Sequence, residues 1–128
     1  MRKARICIID DDADLLAELE QAIGSAGYVT MPFESSIEAL KTVSTERPDL
    51  ILTDLKMPLM SGFQLANELG KNPSTAGIPI VAMTGCFTRD EHKELMRICG
   101  IRARLTKPVD PDEILSVIEV LLHQEAGS

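Results

Sequence analysis

Polar residues that could bind a cation or a phosphate follow four short segments of the chain, three of which are apolar or nearly so. They are Asp10, Asp11, Asp12, Asp54, Thr84 and Lys107. Carboxylates held close together repel one another, and a hard divalent cation such as Mg²⁺ relieves that repulsion. A hydroxyl and an ammonium group are suited to the oxygens of a phosphoryl group. These residue types therefore point to phosphoryl transfer with an aspartate as the acceptor.

The segments that precede these residues have the pattern of strands buried on both faces. Residues 6–9, 50–53 and 78–83 are apolar or nearly so, which is typical of parallel sheets. The complete prediction is five strands, at residues 5–10, 28–31, 50–53, 78–83 and 103–106. Pro32 is expected to end the second strand. The fifth has a poor strand composition and is assigned mainly from its order in the chain.

Segments with a helical spacing of apolar residues follow each strand. The first helix is predicted over residues 12–26, with Gly27 as its stop signal. The later helices are predicted to begin at the capping residues Ser35, Ser61, Thr88 and Asp110. The last should end at about residue 123, so that residues 124–128 form a tail or a linker stub.

This alternation predicts one α/β domain. Strands that alternate with helices form a parallel sheet with helices on both faces, and ligands bind at the carboxyl ends of its strands. A chain of 128 residues has the size of one domain, so we expect it to cover residues 1–128. The candidate residues would then lie along one edge of the sheet, which favours a shared site. Individually, Asp11 and Asp12 could cap the first helix (the role we expect for Asp12), and Thr84 and Lys107 could be ordinary strand and surface residues.

The composition excludes several classes of partner. A formal net charge of −7 disfavours binding of this domain to nucleic acid or to anionic lipid. No apolar run approaches the ~18 residues of a membrane span, and the N-terminus lacks the pattern of a signal peptide. The cysteines Cys7, Cys86 and Cys99 have neither disulfide pairing nor metal-site spacing. We therefore expect a cytoplasmic protein with free thiols.

Four stretches of the sequence together resemble the receiver domain of two-component response regulators. They are IIDDD at residues 8–12, LTDLKMPLMSG at 52–62, MTG at 83–85 and LTKP at 105–108. The resemblance extends from Ile6 to about Leu122. It implies a flavodoxin-like, doubly wound (βα)5 fold with strand order 2-1-3-4-5. It also implies a cis peptide bond between Lys107 and Pro108.

The resemblance implies a role for each residue of the candidate site. Asp54 would accept a phosphoryl group from the phosphohistidine of a sensor histidine kinase or of a phosphotransfer protein. Thr84 and Lys107 would contact the phosphoryl oxygens. The implied ligands of Mg²⁺, or of Mn²⁺ in its place, are Asp10, Asp11, Asp54 and the backbone carbonyl of Lys56. Such a domain switches partner binding and is not a turnover enzyme.

The chain departs from the family pattern near the site. Arg104 stands where the family usually has an aromatic residue, and Arg102 lies two residues earlier, on the same face of a strand. These arginines could be solvated edge residues, or they could contact an acidic partner or a second copy through the face of helix 4, strand 5 and helix 5. Lys56 and Cys86 are at positions that border the phosphoryl group and tune its hydrolysis. In the last helix, Val120 widens the apolar arc, which fits either a partner face or ordinary packing.

Three other functions are less well supported by the same residues. A phosphatase of the haloacid dehalogenase type needs a second acid two residues after the nucleophile, where this chain has Lys56. A flavodoxin-like FMN binder needs a phosphate loop after strand 1, where this chain has three aspartates. A receiver-like interaction domain that works without phosphorylation remains the main alternative, because Arg104 departs from the usual switch.

Overall fold

The protein's structure, a computed structural model, describes residues 3–85 and 90–126. The strands are β1 (Arg5–Ile9), β2 (Val29–Phe33), β3 (Leu50–Asp54), β4 (Ile80–Thr84) and β5 (Ile101–Thr106). The helices are α1 (Ala13–Ser25), α2 (Ser36–Glu46), α3 (Gly62–Gly70), α4 (Asp90–Ile98) and α5 (Pro111–Ala126). The strands form one parallel sheet in the order β2-β1-β3-β4-β5, which confirms the predicted fold.

Three strand ends lie two residues from their predicted positions. β4 begins at Ile80 rather than at residue 78. β2 continues through Pro32 to Phe33, so the expected break at the proline is wrong. It is tolerated because β2 is an edge strand that pairs only with β1, and one side of its backbone needs no partner. β5 begins at Ile101, two residues earlier than predicted. The pairing register between β4 and β5 then shifts by one residue: Ile101 pairs with Ile80, whereas Ala103 pairs with Val81.

The helix ends are mostly as predicted, with one extension. Asp12 is the N-cap of α1, and its carboxylate accepts hydrogen bonds from the backbone of Asp14 and Leu15 at 3.1 and 3.2 Å. α5 runs to Ala126, so the prediction that the last helix ends at about residue 123 is wrong by three residues. The expected cap at Thr88 lies outside the described residues, as do residues 127–128.

The core consists of two apolar layers, one on each face of the sheet. Along β1, Ile6 and Ile8 belong to the layer that includes residues of α1 and α5, whereas Cys7 and Ile9 belong to the layer under α2 and α3. All four side chains are fully buried. Burial on both faces explains the continuous apolar runs of the central strands. Polar side chains of these strands are therefore expected at the strand ends, outside the two apolar layers.

Candidate functional site at the carboxyl edge of the sheet

The structure brings the predicted polar residues together at the carboxyl ends of the strands. Asp10 directly follows β1, Asp54 and Thr84 are the last residues of β3 and β4, and Lys107 directly follows β5. Thr84 pairs in register with Thr106, and the backbone N–H of Lys107 donates to the Thr84 carbonyl at 2.7 Å. The two neighbouring strand ends are therefore joined by a short backbone hydrogen bond.

Three carboxylates form the acidic part of this site. Asp10, Asp11 and Asp54 each place a carboxylate oxygen within 4.8 Å of the other two. Asp10 is fully buried, Asp54 is 7% exposed, and Asp11 is exposed. Backbone N–H groups hold one oxygen of each buried carboxylate, because Asp12 donates to Asp10 Oδ1 at 2.9 Å and Lys56 donates to Asp54 Oδ1 at 3.0 Å. The buried carboxylates are thus held in place by their own loops.

Lys107 provides the cationic part of the site. Its ammonium group donates to Asp10 Oδ2 and to Asp54 Oδ2, both at 2.9 Å. Partial burial by itself would lower the pKa of Lys107, but the hydrogen bonds from its ammonium to Asp10 and Asp54 and their negative charges outweigh that effect, so the pKa is raised. The contacts of Lys107 with the carboxylates were not predicted from the sequence. A lysine expected at the same edge of the sheet as several aspartates was a signal for such ion pairs.

The loop after Asp54 packs closely against the site. It returns at Gly62, whose N–H donates to the Leu55 carbonyl at 2.9 Å. A Cβ atom at Gly62 would lie 2.8 Å from the Asp54 carbonyl oxygen, so only glycine fits there. Ser61 and Gln64 then form a complete capping box that begins α3. Sequence reasoning found the cap but missed the role of Gly62.

The remaining candidate residues have different positions. Thr84 is 8% exposed at the end of β4, whereas the Lys56 side chain is exposed. Cys86 lies outside the described residues. Arg102 and Arg104 are both exposed on β5, the other edge strand, which confirms that they share a face. They line a groove together with α4 residues that include Lys93 and Arg97, and Val120 lines a neighbouring groove between β5 and α5.

Comparison with known proteins decides which family this arrangement represents. The family model for the response regulator receiver domain matches residues 6–119. The chain belongs to this family. Receiver domains are signalling modules and not turnover enzymes, so the phosphatase and FMN-binding hypotheses are set aside. Within the described residues, no helix has both the length and the apolar character needed to cross a membrane.

The similar proteins differ widely in length. Protein PilH of Pseudomonas aeruginosa is 31% identical over 121 residues, which cover 93% of this chain and 98% of PilH. The transcriptional regulatory protein GlrR of Escherichia coli is 33% identical over 125 residues, which cover 98% of this chain and only 28% of GlrR. The chain therefore matches nearly all of one relative and about a quarter of another.

Solved structures show the same fold. A CheY-like response regulator receiver domain protein from Methanospirillum hungatei superposes with a TM-score of 0.89 at 30% identity, covering 99% of this chain and all of that chain. The chemotaxis protein CheY4 of Vibrio cholerae gives a TM-score of 0.88 at 25% identity, covering 94% of this chain and 99% of CheY4. The flavodoxin-like fold expected from the sequence is confirmed.

Proposed function

We propose that this receiver domain accepts a phosphoryl group on Asp54 from the phosphohistidine of a sensor histidine kinase or of a phosphotransfer protein. Phosphorylation then changes which partner the domain binds. The observation that carries the proposal is the convergence of Asp10, Asp11 and Asp54 within 4.8 Å, with the Lys107 ammonium bonded to two of them. The domain is proposed to act in the cytoplasm and to extend over residues 1–128.

The geometry suggests how Asp54 reacts. Its Oδ1 accepts a hydrogen bond from the backbone N–H of Lys56, and its Oδ2 accepts a hydrogen bond from the Lys107 ammonium. Oδ2 attacks phosphorus as the phosphorus–nitrogen bond of phosphohistidine breaks, and the electron pair of that bond stays on the departing imidazole. The Lys107 ammonium and the Thr84 hydroxyl bind the oxygens of the transferred group, where negative charge accumulates.

The residues present fit a divalent cation. Mg²⁺ binds oxygen ligands at about 2.1 Å, so two ligands on opposite sides of one ion are about 4.2 Å apart. The 4.8 Å limit on the three carboxylate oxygens is close to that spacing. The proposed ligands are Asp10, Asp11, Asp54 and the backbone carbonyl of Lys56. The ion, Mg²⁺ or Mn²⁺, would supply positive charge against the carboxylates and the transferred group.

The direct test is phosphorylation by a small donor. Incubation with acetyl phosphate and Mg²⁺ should add one phosphoryl group, seen by intact-protein mass spectrometry, and Asp54→Asn should abolish it. Asp12→Asn is the matched control, because Asp12 caps α1 and asparagine caps equally well. Equal labelling of Asp54→Asn would place the acceptor elsewhere. An unlabelled parent chain would instead support the interaction domain that works without phosphorylation.

We propose the surface formed by α4, β5 and α5 as the face that contacts the partner. Arg102 and Arg104 are exposed there, in a chain whose net charge is −7. Arg104→Ala should leave the labelling of Asp54 intact and weaken association, more so at low salt than at high salt. A second copy is the partner to measure first, by sedimentation of the acetyl phosphate-treated chain. Lys41→Ala on α2 is the control. Lost labelling with unchanged association would assign Arg104 to the phosphorylation site instead.

A further inference from the structure

Leu59 combines two unfavourable features at one position. The residue is 91% exposed, the highest value among the exposed large apolar residues of the described chain. Its φ angle is +68°, in the left-handed region that leucine rarely adopts. The N–H of Met60 donates to the Pro58 carbonyl at 2.7 Å, which closes a tight three-residue turn around Leu59. This turn leaves the leucine side chain outside the apolar core, and backbone strain of this kind is concentrated at functional positions.

The loop that carries Leu59 is fixed to the phosphorylation site at both ends. On one side, the N–H of Lys56 donates to Asp54 Oδ1. On the other, Gly62 lies against the Asp54 carbonyl and donates to Leu55. Between these points Met57 is buried in the apolar layer under α2 and α3. The tip of the loop therefore has a defined position relative to Asp54.

The distance from Leu59 to the site is small compared with a protein interface. Leu59 is three residues from both Lys56 and Gly62, so its Cα lies at most about 11 Å from theirs at ~3.8 Å per residue. A standard interface buries about 800 Å² on each partner, which corresponds to a disc of roughly 16 Å radius. A protein that brings its phosphohistidine onto Asp54 would therefore cover Leu59.

We infer that Leu59 is an apolar anchor that docks the phosphodonor protein against the receiver domain. The inference rests on the proposed function and names a contact for it. The exposed residues at this edge include three acids, Asp11, Asp12 and Asp14, and the basic residue Lys56. Leu59 offers the donor an apolar contact on this charged rim, and its burial by a partner would remove apolar surface from water. A small phosphodonor has no surface that reaches Leu59.

The test compares a protein donor with a small donor. Leu59→Asn and Leu59→Gly both accept a positive φ, so both should fold, and Leu59→Met keeps the apolar contact. Phosphoramidate is the small donor, and the protein donor is the autophosphorylated histidine kinase that labels the parent chain fastest in a panel. For Asn and Gly we expect an unchanged phosphoramidate rate and about a tenfold higher KM for the kinase, with kcat retained. Leu59→Met should stay within about twofold of the parent, the difference expected for a conservative apolar exchange.

The control is Val29→Ala, which removes an exposed apolar side chain at the amino end of β2. It should change neither reaction. An unchanged kinase KM in Leu59→Asn and Leu59→Gly, or equal slowing with both donors, would overturn the anchor and leave the proposed function standing. Labelling of the parent by phosphoramidate but by no kinase would overturn both the kinase step and the anchor.

Discussion

Replacing Lys107 with methionine should expose the repulsion within the acidic site. Methionine retains much of the length of the side chain and removes its charge. In the parent chain the ammonium lies 2.9 Å from both Asp10 Oδ2 and Asp54 Oδ2. Lys107→Met therefore leaves two buried carboxylates facing each other without their cation. We expect the free energy of unfolding to fall.

The size of the loss follows from burial. Removing one partner of a buried ion pair costs about 3–5 kcal/mol. The Lys107 side chain is 22% exposed, so solvent screens part of the interaction, and we expect about 2–3 kcal/mol. For a domain of this size, each kcal/mol shifts Tm by about 4 °C, so Tm should fall by roughly 10 °C.

The assay is urea and thermal unfolding in EDTA and in millimolar Mg²⁺. The deficit of Lys107→Met should be largest in EDTA and smaller in Mg²⁺, because a bound cation offsets the same charges. Lys56→Met, which changes an exposed lysine next to the site, is the control and should stay within about 0.5 kcal/mol of the parent. Equal stability of parent and Lys107→Met in EDTA would refute the reasoning, and so would a deficit that Mg²⁺ leaves unchanged.

The pH dependence gives an independent check on the same interaction. The pKa of Lys107 is raised in the folded chain. A raised lysine pKa stabilises the fold fully below the unfolded-state value of about 10.4, and the contribution is lost as pH rises through the folded value. The stability difference between parent and Lys107→Met should therefore stay constant from pH 7 to about pH 10 and shrink above it. A difference already lost by pH 8 would contradict this assignment.

Three further predictions concern other parts of the chain. Mg²⁺ at ten times its Kd should raise the parent's stability by about 1.4 kcal/mol in thermal melts, and Asp11→Asn should remove that response. Gly62→Ala should cost about 1–3 kcal/mol in urea unfolding, because its Cβ would meet the Asp54 carbonyl at 2.8 Å, whereas Gly70→Ala, with open space around it, should cost less than about 0.5 kcal/mol. Burial raises the pKa of the Cys7 thiol to about 12, so Cys7 should resist iodoacetamide at pH 8 until the chain is unfolded, as followed by mass spectrometry.

The sequence was sufficient to locate the candidate site because each of its residues follows a strand. Asp10, Asp54, Thr84 and Lys107 come from distant parts of the chain, but a parallel sheet places all carboxyl ends at one edge. Apolar runs and capping residues are local signals, so the order of strands and helices could be predicted. From that order the meeting of these four residues followed without knowledge of any contact.

The features that were missed depend on neighbours that are distant in sequence. Pro32 was expected to end β2. The prediction was wrong because a residue in an edge strand does not need a backbone N–H on the side without a neighbouring strand. The contacts of Lys107 with Asp10 and Asp54 depend on the distances between the ends of β1, β3 and β5, which the sequence does not give. The positive φ of Leu59 follows from the way the loop returns to Asp54, and its leucine gives no local sign of that conformation.

The charges at the carboxyl edge would couple the proposed phosphorylation of Asp54 to the rest of the sheet. Three carboxylates and one ammonium give a formal charge of −2, which one Mg²⁺ would neutralise. A phosphoryl group on Asp54 replaces a charge of −1 by one closer to −2, so the Lys107 ammonium gains a stronger partner beside its present one. The N–H of Lys107 also donates to the Thr84 carbonyl, and Arg104 lies three residues earlier on β5. We therefore expect any shift of Lys107 toward the phosphoryl group to be transmitted along β5, whose exposed face carries Arg104.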